Sequence, residues 1–158
     1  MKPVSSLVTR SLCGTDFDDA RAVADEWFGH PVGLTMHRLF FDQLGSSGVW
    51  IGTDTGVMVG VLLGLRSQAE PELGYIHFHM VDPAWRGAGV GSRLYLTFFD
   101  QMSELGCTRV RALASPTRTA SLRFHESLGF SGRRQNDYLG PGQDRVIFER
   151  SIGDTESV

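Results

Sequence analysis

The stretch that decides the fold is Val81-Asp82-Pro83-Ala84-Trp85-Arg86-Gly87-Ala88-Gly89-Val90-Gly91-Ser92-Arg93-Leu94. An apolar run from residue 75 to 81 precedes the glycines, and an amphipathic helical pattern from 90 to 105 follows them. This pattern predicts a strand that joins a helix through a glycine-rich turn. Closely spaced glycines let backbone N–H groups converge at a helix start, where the helix dipole also favours anions. We therefore expect a diphosphate-binding turn.

Two familiar nucleotide motifs do not fit this turn. A dinucleotide fingerprint has the spacing Gly-x-Gly-x-x-Gly and an acidic residue about 20 positions downstream. Here Gly87, Gly89 and Gly91 follow Gly-x-Gly-x-Gly, and Cys107 lies near that distance. A P-loop requires Gly-Lys-Ser/Thr, and the only lysine of the chain is Lys2. A structural turn without ligand and a different diphosphate remain as alternatives.

Composition indicates one compact domain over residues 1–158. The chain has 41% hydrophobic residues and a net charge of −3, which argues against nucleic acid as a partner. Cys13 and Cys107 lack metal-ligand spacing and suggest a reducing compartment. We find neither a signal-peptide pattern nor an apolar run long enough to span a bilayer, so we expect a cytoplasmic protein without membrane contact.

The apolar periodicity predicts an α+β chain with the order strand, helix, helix, three strands, helix, strand, helix and two strands. The predicted strands cover residues 7–12, 49–52, 57–65, 73–81, 109–114, a segment from 130, and 145–151. The predicted helices cover residues 17–28, 35–44, 90–105 and 119–128.

Two segments carry a family resemblance. Residues 86–91, Arg-Gly-Ala-Gly-Val-Gly, fit the pattern Arg/Gln-x-x-Gly-x-Gly/Ala between a strand and a helix. They resemble the acyl-CoA-binding motif of the GCN5-related N-acetyltransferase (GNAT) family. Residues 118–130 resemble the later helix of that family, which ends in a Leu-Gly-Phe turn. The order of elements is similar to the family fold over roughly residues 5–151.

The resemblance implies the GNAT fold, a mostly antiparallel twisted sheet of six to seven strands with a V-shaped splay and about four flanking helices. It implies acetyl-CoA as co-substrate, with its pantetheine arm between strands 73–81 and 109–114. Unpaired backbone groups in the splay would bind that arm, since such groups are costly without a partner. The implied cofactor-binding residues are Met80, Val81, Arg86, Gly87, Ala88, Gly89, Val90, Gly91, Ser92 and Arg118.

The implied reaction is direct transfer of an acetyl group to a primary amine of a small molecule or protein, without a metal. Such transfer needs a base for the amine proton, stabilisation of the oxyanion and a proton for the sulfur. The alternative is a catalytically silent acyl-CoA-binding module with the same fold. The family often forms dimers, so a homodimer is possible, and the sequence leaves the acceptor open.

His125 stands where many relatives have a tyrosine that protonates the thiolate, and we consider it a candidate acid. It could equally bind only a backbone carbonyl, and Tyr138 is the alternative acid. Arg118 stands where relatives often have an asparagine that contacts the pantetheine, and it could instead reach a phosphate.

His77 and His79 are candidate bases in the strand over residues 73–81. Strand alternation predicts that both point to one side together with Tyr75 and Val81, unless a bulge interrupts the strand. The alternatives are two ordinary hydrogen-bonded histidines, or Glu72 as the base. A metal site would need a third ligand and is not expected.

Five aromatic residues could line an acceptor pocket or simply fill the core. The second interpretation is favoured, because large aromatic side chains usually lie inside a domain. These residues are Trp27, Phe28, Phe40, Phe41 and Trp50.

Overall fold

The computed structural model describes residues 3–153 of the chain. Within them lie seven strands and four helices in the predicted order, which confirms the α+β class. The elements are β1 (Val8–Ser11), α1 (Asp16–Phe28), α2 (Arg38–Leu44), β2 (Val49–Gly52), β3 (Met58–Arg66), β4 (Leu73–Val81), α3 (Val90–Glu104), β5 (Arg109–Ala114), α4 (Thr119–Ser127), β6 (Ser131–Gln135) and β7 (Arg145–Ser151). That residues 1–158 form one domain stays a prediction, and both ends of that range lie outside the described residues.

The chain divides into two compact units. The first contains the residues up to Leu65 together with Phe78–Gln101, and the second contains Arg66–His77 together with the residues from Met102 onward. Strand β4 therefore contributes its first part to the second unit and its last part to the first. Among the described residues, no helix has both the length and the apolar character needed to cross a membrane.

In the first unit the strand order is β1-β2-β3-β4. Strands β1 and β2 are antiparallel, as are β2 and β3, and the β2–β3 register shifts between Ile51 and Gly52. Helix α1 is amphipathic and buries Ala20 and Ala24 completely. Because these small residues face the core, α1 packs closely over buried aromatic side chains.

In the second unit the strand order is β4-β5-β7-β6. Strands β4 and β5 are parallel, with a register that runs from Leu73 opposite Arg109 to Ile76 opposite Ala112. Strand β4 continues beyond this register to Val81. Strand β7 is antiparallel to both β5 and β6.

The side-chain alternation of β4 is interrupted. A Cβ at Gly74 would lie 2.7 Å from Cγ of Met102 in α3, and Nδ1 of His79 lies 3.0 Å from Oη of Tyr95, also in α3. Regular alternation would place positions 74 and 79 on opposite faces, yet both face the same helix. The prediction that Tyr75 and His79 share one side of the strand is therefore wrong, and the cause is the irregularity that the sequence could not locate.

Candidate functional site

The stretch after β4 is held in place by Asp82. Its backbone N–H donates to the carbonyl of Val59 in β3 at 2.8 Å. Its carboxylate accepts the N–H of Ala84 at 2.9 Å and caps a 3-10 turn over Pro83–Trp85. Asp82 thereby fixes the start of the loop over residues 86–89, which we call the glycine loop.

The glycine loop has an open backbone and leads directly into a helix. Gly87 and Gly89 have φ angles of 76° and 86°, and a Cβ at either position would meet nothing within 4 Å. The N–H of Arg93 donates to the carbonyl of Gly89 at 3.0 Å and closes the first turn of α3. The amides from Gly89 to Ser92 therefore have no intrahelical acceptor. Such amides at the positive end of a helix dipole suit a diphosphate, so the predicted residues fit that group.

A glycine in β3 allows α3 to approach the sheet. A Cβ at Gly60 would lie 3.1 Å from Cγ1 of Val90 and 3.3 Å from Cδ1 of Leu94. Both of these α3 residues are fully buried. This close approach involves the first turns of α3, which start directly after the glycine loop. Gly60 is not among the residues predicted for the site, although a glycine inside an apolar strand often marks a close approach.

His79 is hydrogen-bonded to a buried tyrosine. Its Nδ1 lies 3.0 Å from Oη of Tyr95, and the two rings meet edge to face with 4.9 Å between their centroids. Burial raises the pKa of Tyr95 far above its ordinary value, so the phenol stays neutral. The contact orients the imidazole and occupies one of its nitrogens. In the sequence, only its place in an amphipathic helix distinguishes Tyr95.

His125 lies in the hydrophobic interior of the second unit. Its imidazole stacks on the ring of Phe148 and contacts that of Phe130 edge to face. Its Nδ1 lies 2.7 Å from the carbonyl oxygen of Ser121. Since a carbonyl only accepts, Nδ1 carries the proton, and in the neutral ring Nε2 holds the lone pair. Burial lowers the pKa of His125, and its hydrogen bond to Ser121 opposes this only partly.

The remaining predicted site residues lie on β4 and directly before α4. Met80 is buried at the end of β4 and Val81 is half-buried. His77 is half-buried and follows Ile76, the last β4 residue in register with β5. Arg118 precedes α4, and its N–H donates to the carbonyl of Ser115 at 3.1 Å. That these residues bind or act on a cofactor stays a prediction.

An ion-pair network crosses β5 and β7 in the second unit. Arg109 donates to Glu149 and to Glu70 at 2.9 Å each, and Arg111 donates to Glu149 at 3.0 Å. Burial raises the pKa of Glu149, but the two arginines outweigh this and hold it below its ordinary value. Glu72, the alternative base, lies 3.5 Å from Arg109 and belongs to this network.

The aromatic residues of the first unit behave mainly as core. Trp27, Phe41 and Trp50 are buried in one hydrophobic cluster, and Phe28 and Phe40 pack against it while partly exposed. The favoured interpretation as core packing is thus confirmed for the three buried residues. In residues 3–153 we find no group of three or more His, Cys, Asp or Glu side chains placed to hold a metal ion.

Known proteins share both the fold and parts of the sequence. A curated relative, mycothiol acetyltransferase from Thermobispora bispora, is 29% identical over 122 residues, which is 72% of this chain and 40% of that protein. The chain thus spans well under half the length of this relative. Among solved structures, Ard1 from Thermoplasma volcanium superposes with a TM-score of 0.80 at 18% identity, covering 93% of this chain and 98% of that one.

A second solved structure is the phosphinothricin acetyltransferase from Sinorhizobium meliloti in complex with acetyl-CoA. It superposes with a TM-score of 0.75 at 17% identity, covering 97% of this chain and 92% of that one. At such low identity the two structures show a shared fold. The family model described as Acetyltransferase (GNAT) family matches residues 17–130, most of the chain. With the glycine loop and the order of elements, this match shows that the chain belongs to the GNAT acetyltransferase family.

Proposed function

We propose that the chain is an acetyl-CoA-dependent N-acetyltransferase that transfers an acetyl group directly to a primary amine of a small molecule or a protein. The observation that carries the proposal is the glycine loop. Its two glycines with positive φ leave open space beside the amides that begin α3. A diphosphate supplies the negative charge and the acceptor oxygens that these amides need. The complex of a solved structural relative with acetyl-CoA supports this choice of diphosphate.

The cofactor would continue from the loop along β4. The β4–β5 register ends at Ile76 although β4 runs on to Val81, so further backbone groups of β4 are candidates for a ligand. We assign the amide and carbonyl groups of Met80 and Val81 to the pantetheine arm, which would bind as an added strand. Arg118 is assigned to the same cofactor, since its guanidinium suits a phosphate.

The chemistry would be a direct attack of the amine nitrogen on the thioester carbon. A tetrahedral intermediate forms, the C–S bond breaks, coenzyme A leaves as a thiolate and the amine loses a proton. We assign that proton to one of the two β4 histidines, His77 or His79, because His125 is buried. An N–H near Val81 would stabilise the oxyanion.

Departure of the sulfur needs less help from the protein than removal of the amine proton or stabilisation of the oxyanion. A thiol has a pKa of about 8.5, so the thiolate is a good leaving group even without a strong acid. A neutral His125 has no proton on Nε2 to donate, and its lowered pKa disfavours the charged form. We therefore favour Tyr138, which is partly exposed, as the donor to be tested next to His125.

The same burial of His125 supports a second candidate function. A chain that binds acetyl-CoA through the glycine loop but lacks a competent acid would act as a silent acyl-CoA-binding module. Titration calorimetry with acetyl-CoA tests the binding that both functions share, and NAD serves as the negative control. Release of free thiol from acetyl-CoA across a panel of primary amines separates them. We expect binding of acetyl-CoA and thiol release with at least one amine, whereas binding without thiol release would favour the silent module.

A further inference from the structure

The side chain of Arg86 forms a hydrogen bond outside the glycine loop. Although Arg86 opens the glycine loop, its Nη2 donates a hydrogen bond to the carbonyl oxygen of Trp27. Trp27 is the second-last residue of α1, and the carbonyls in the last turn of a helix have no partner within it. A guanidinium at this end also interacts favourably with the helix dipole. The loop is thereby attached to α1, far away in the sequence.

Hydrogen bonds organise the chain where it leaves α1. The N–H of Gly29 donates to the carbonyls of Asp25 and Glu26 at 3.0 and 3.2 Å. The carboxylate of Asp25 accepts the N–H of Val32 at 3.1 Å. The bond from Arg86 adds the carbonyl of Trp27 to this arrangement. The segment over residues 29–35, which we call the α1 exit, therefore starts from a helix end to which the glycine loop is bound.

A second arginine, Arg93 at the first turn of α3, behaves in the same way. Arg93 donates through Nη1 to the carbonyl of Val4 at 3.1 Å and through Nη2 to that of Leu7 at 3.0 Å. Both arginines that flank the glycines thus bind carbonyl oxygens of other segments. The diphosphate is left to the main-chain amides of the loop and of the α3 start.

We propose that Arg86 is a positioning residue that holds the glycine loop against the C-terminal end of α1 and so couples acetyl-CoA binding to the α1 exit. The ligand in this statement rests on the proposed function, whereas the attachment itself does not. Without the guanidinium, the start of the loop would keep the contacts of Asp82 but lose its attachment to the last turn of α1. Both the affinity for acetyl-CoA and the protection of the α1 exit would then decrease.

Hydrogen exchange on the full chain tests the attachment without any ligand. In Arg86→Ala we expect peptides covering residues 27–35 to exchange about fivefold faster than in the wild-type protein, the size expected from loss of one charged contact at a helix end. Arg86→Lys keeps one cationic donor and should restore part of the protection. Arg86 is exposed, so these variants should fold, and circular dichroism checks this. Unchanged exchange of residues 27–35 in Arg86→Ala would overturn the proposal.

Addition of acetyl-CoA tests the coupling. In the wild-type protein, acetyl-CoA should slow exchange of residues 27–35, and in Arg86→Ala this slowing should vanish while the dissociation constant rises about fivefold. Arg134→Ala is the matched control, because it removes an exposed arginine of β6 that pairs with Asp144 and belongs neither to the glycine loop nor to the α1 exit. Its dissociation constant should equal that of the wild-type protein.

Two outcomes would overturn the coupling. Slowing that is equal in the wild-type protein and Arg86→Ala would show that the side chain does not transmit binding. The second outcome is that Arg86→Ala changes hydrogen exchange only in residues 83–92 and also reduces the salt dependence of acetyl-CoA binding. That result would show that Arg86 contacts a phosphate directly. If the wild-type protein does not bind acetyl-CoA, the proposed function fails, and the ligand-free comparison still decides whether the attachment exists.

Discussion

The imidazole of His125 lies parallel to the ring of Phe148, with 4.7 Å between the ring centroids and 8° between the ring planes. Only 2% of His125 is exposed, and its proton-bearing Nδ1 donates to Ser121. The residue at this point of α4 is therefore integrated into the hydrophobic interior of the second unit. A neutral ring is the form that this environment favours, since burial penalises the charged imidazolium.

The stability of the protein should depend on pH through His125. Burial lowers its pKa in the folded protein, so the unfolded chain takes up the proton first as the pH falls. The contribution to stability is complete above the unfolded-state pKa of about 6.5 and is lost as the pH falls from there towards the folded-state pKa. His125→Phe removes this dependence. Urea denaturation between about pH 7.5 and 5 should show a smaller loss of stability in the variant. Equal losses in both proteins would contradict the lowered pKa.

Turnover should survive the same substitution. Because neutral His125 has no proton on Nε2 to give to the sulfur, we expect kcat of His125→Phe to stay within about threefold of the wild-type value, well below the roughly 100-fold loss typical of a missing general acid. Thiol release at saturating acetyl-CoA measures this. A fall of that larger size, with KM for acetyl-CoA unchanged, would instead establish His125 as the proton donor.

Gly89→Asp should abolish the binding of acetyl-CoA. Its φ of 86° disfavours any side chain, and the carboxylate would repel the diphosphate at the start of α3. We expect the dissociation constant to rise at least about 100-fold, which corresponds to roughly 2.7 kcal/mol. Titration calorimetry measures this. Gly56→Asp is the control, because Gly56 also has a positive φ, 89°, and open space beside it, but lies in the turn between β2 and β3. Equal affinity in Gly89→Asp and the wild-type protein would refute the assigned site.

Tyr95→Phe should weaken the first unit. The substitution keeps the buried ring but removes the hydroxyl that contacts Nδ1 of His79. One lost hydrogen bond to a half-buried partner should lower the free energy of unfolding by about 1 kcal/mol. Urea denaturation of the variant and of Tyr138→Phe provides the comparison, since Tyr138 is partly exposed and its hydroxyl should contribute little to stability. Equal stability of Tyr95→Phe and the wild-type protein would show that the contact is not stabilising.

Much of the fold followed from local pattern. The bounds of β2, β4, β5 and β7 match the predicted ranges, because short apolar or alternating runs between turn residues have few alternatives. The start of α2 was predicted too early, at Thr35, whereas the helix begins at Arg38 after a 3-10 turn over Gly33–Thr35. Helix ends are set by capping contacts, and here the imidazole of His37 caps α2 by accepting the N–H of Leu39.

Less of the candidate site than of the fold could be predicted from the sequence. The glycine loop was found because φ, spacing and helix start are all encoded locally, as Gly87 and Gly89 show. The side of β4 on which His79 lies could not be predicted, because one irregularity in the strand reverses the side-chain alternation. The contact between Arg86 and Trp27 joins residues 59 positions apart, and no periodicity in either segment announces it.

The bonds from Arg93 to Val4 and Leu7 have a practical consequence for recombinant work. Removing the first seven residues would deprive this guanidinium of both carbonyl acceptors, one turn after the glycine loop. An N-terminal truncation chosen to simplify purification would therefore weaken the affinity for acetyl-CoA, although it removes no residue assigned to the ligand. Binding and kinetic measurements should use recombinant protein that retains Val4 and Leu7 and carries any affinity tag at its C-terminus.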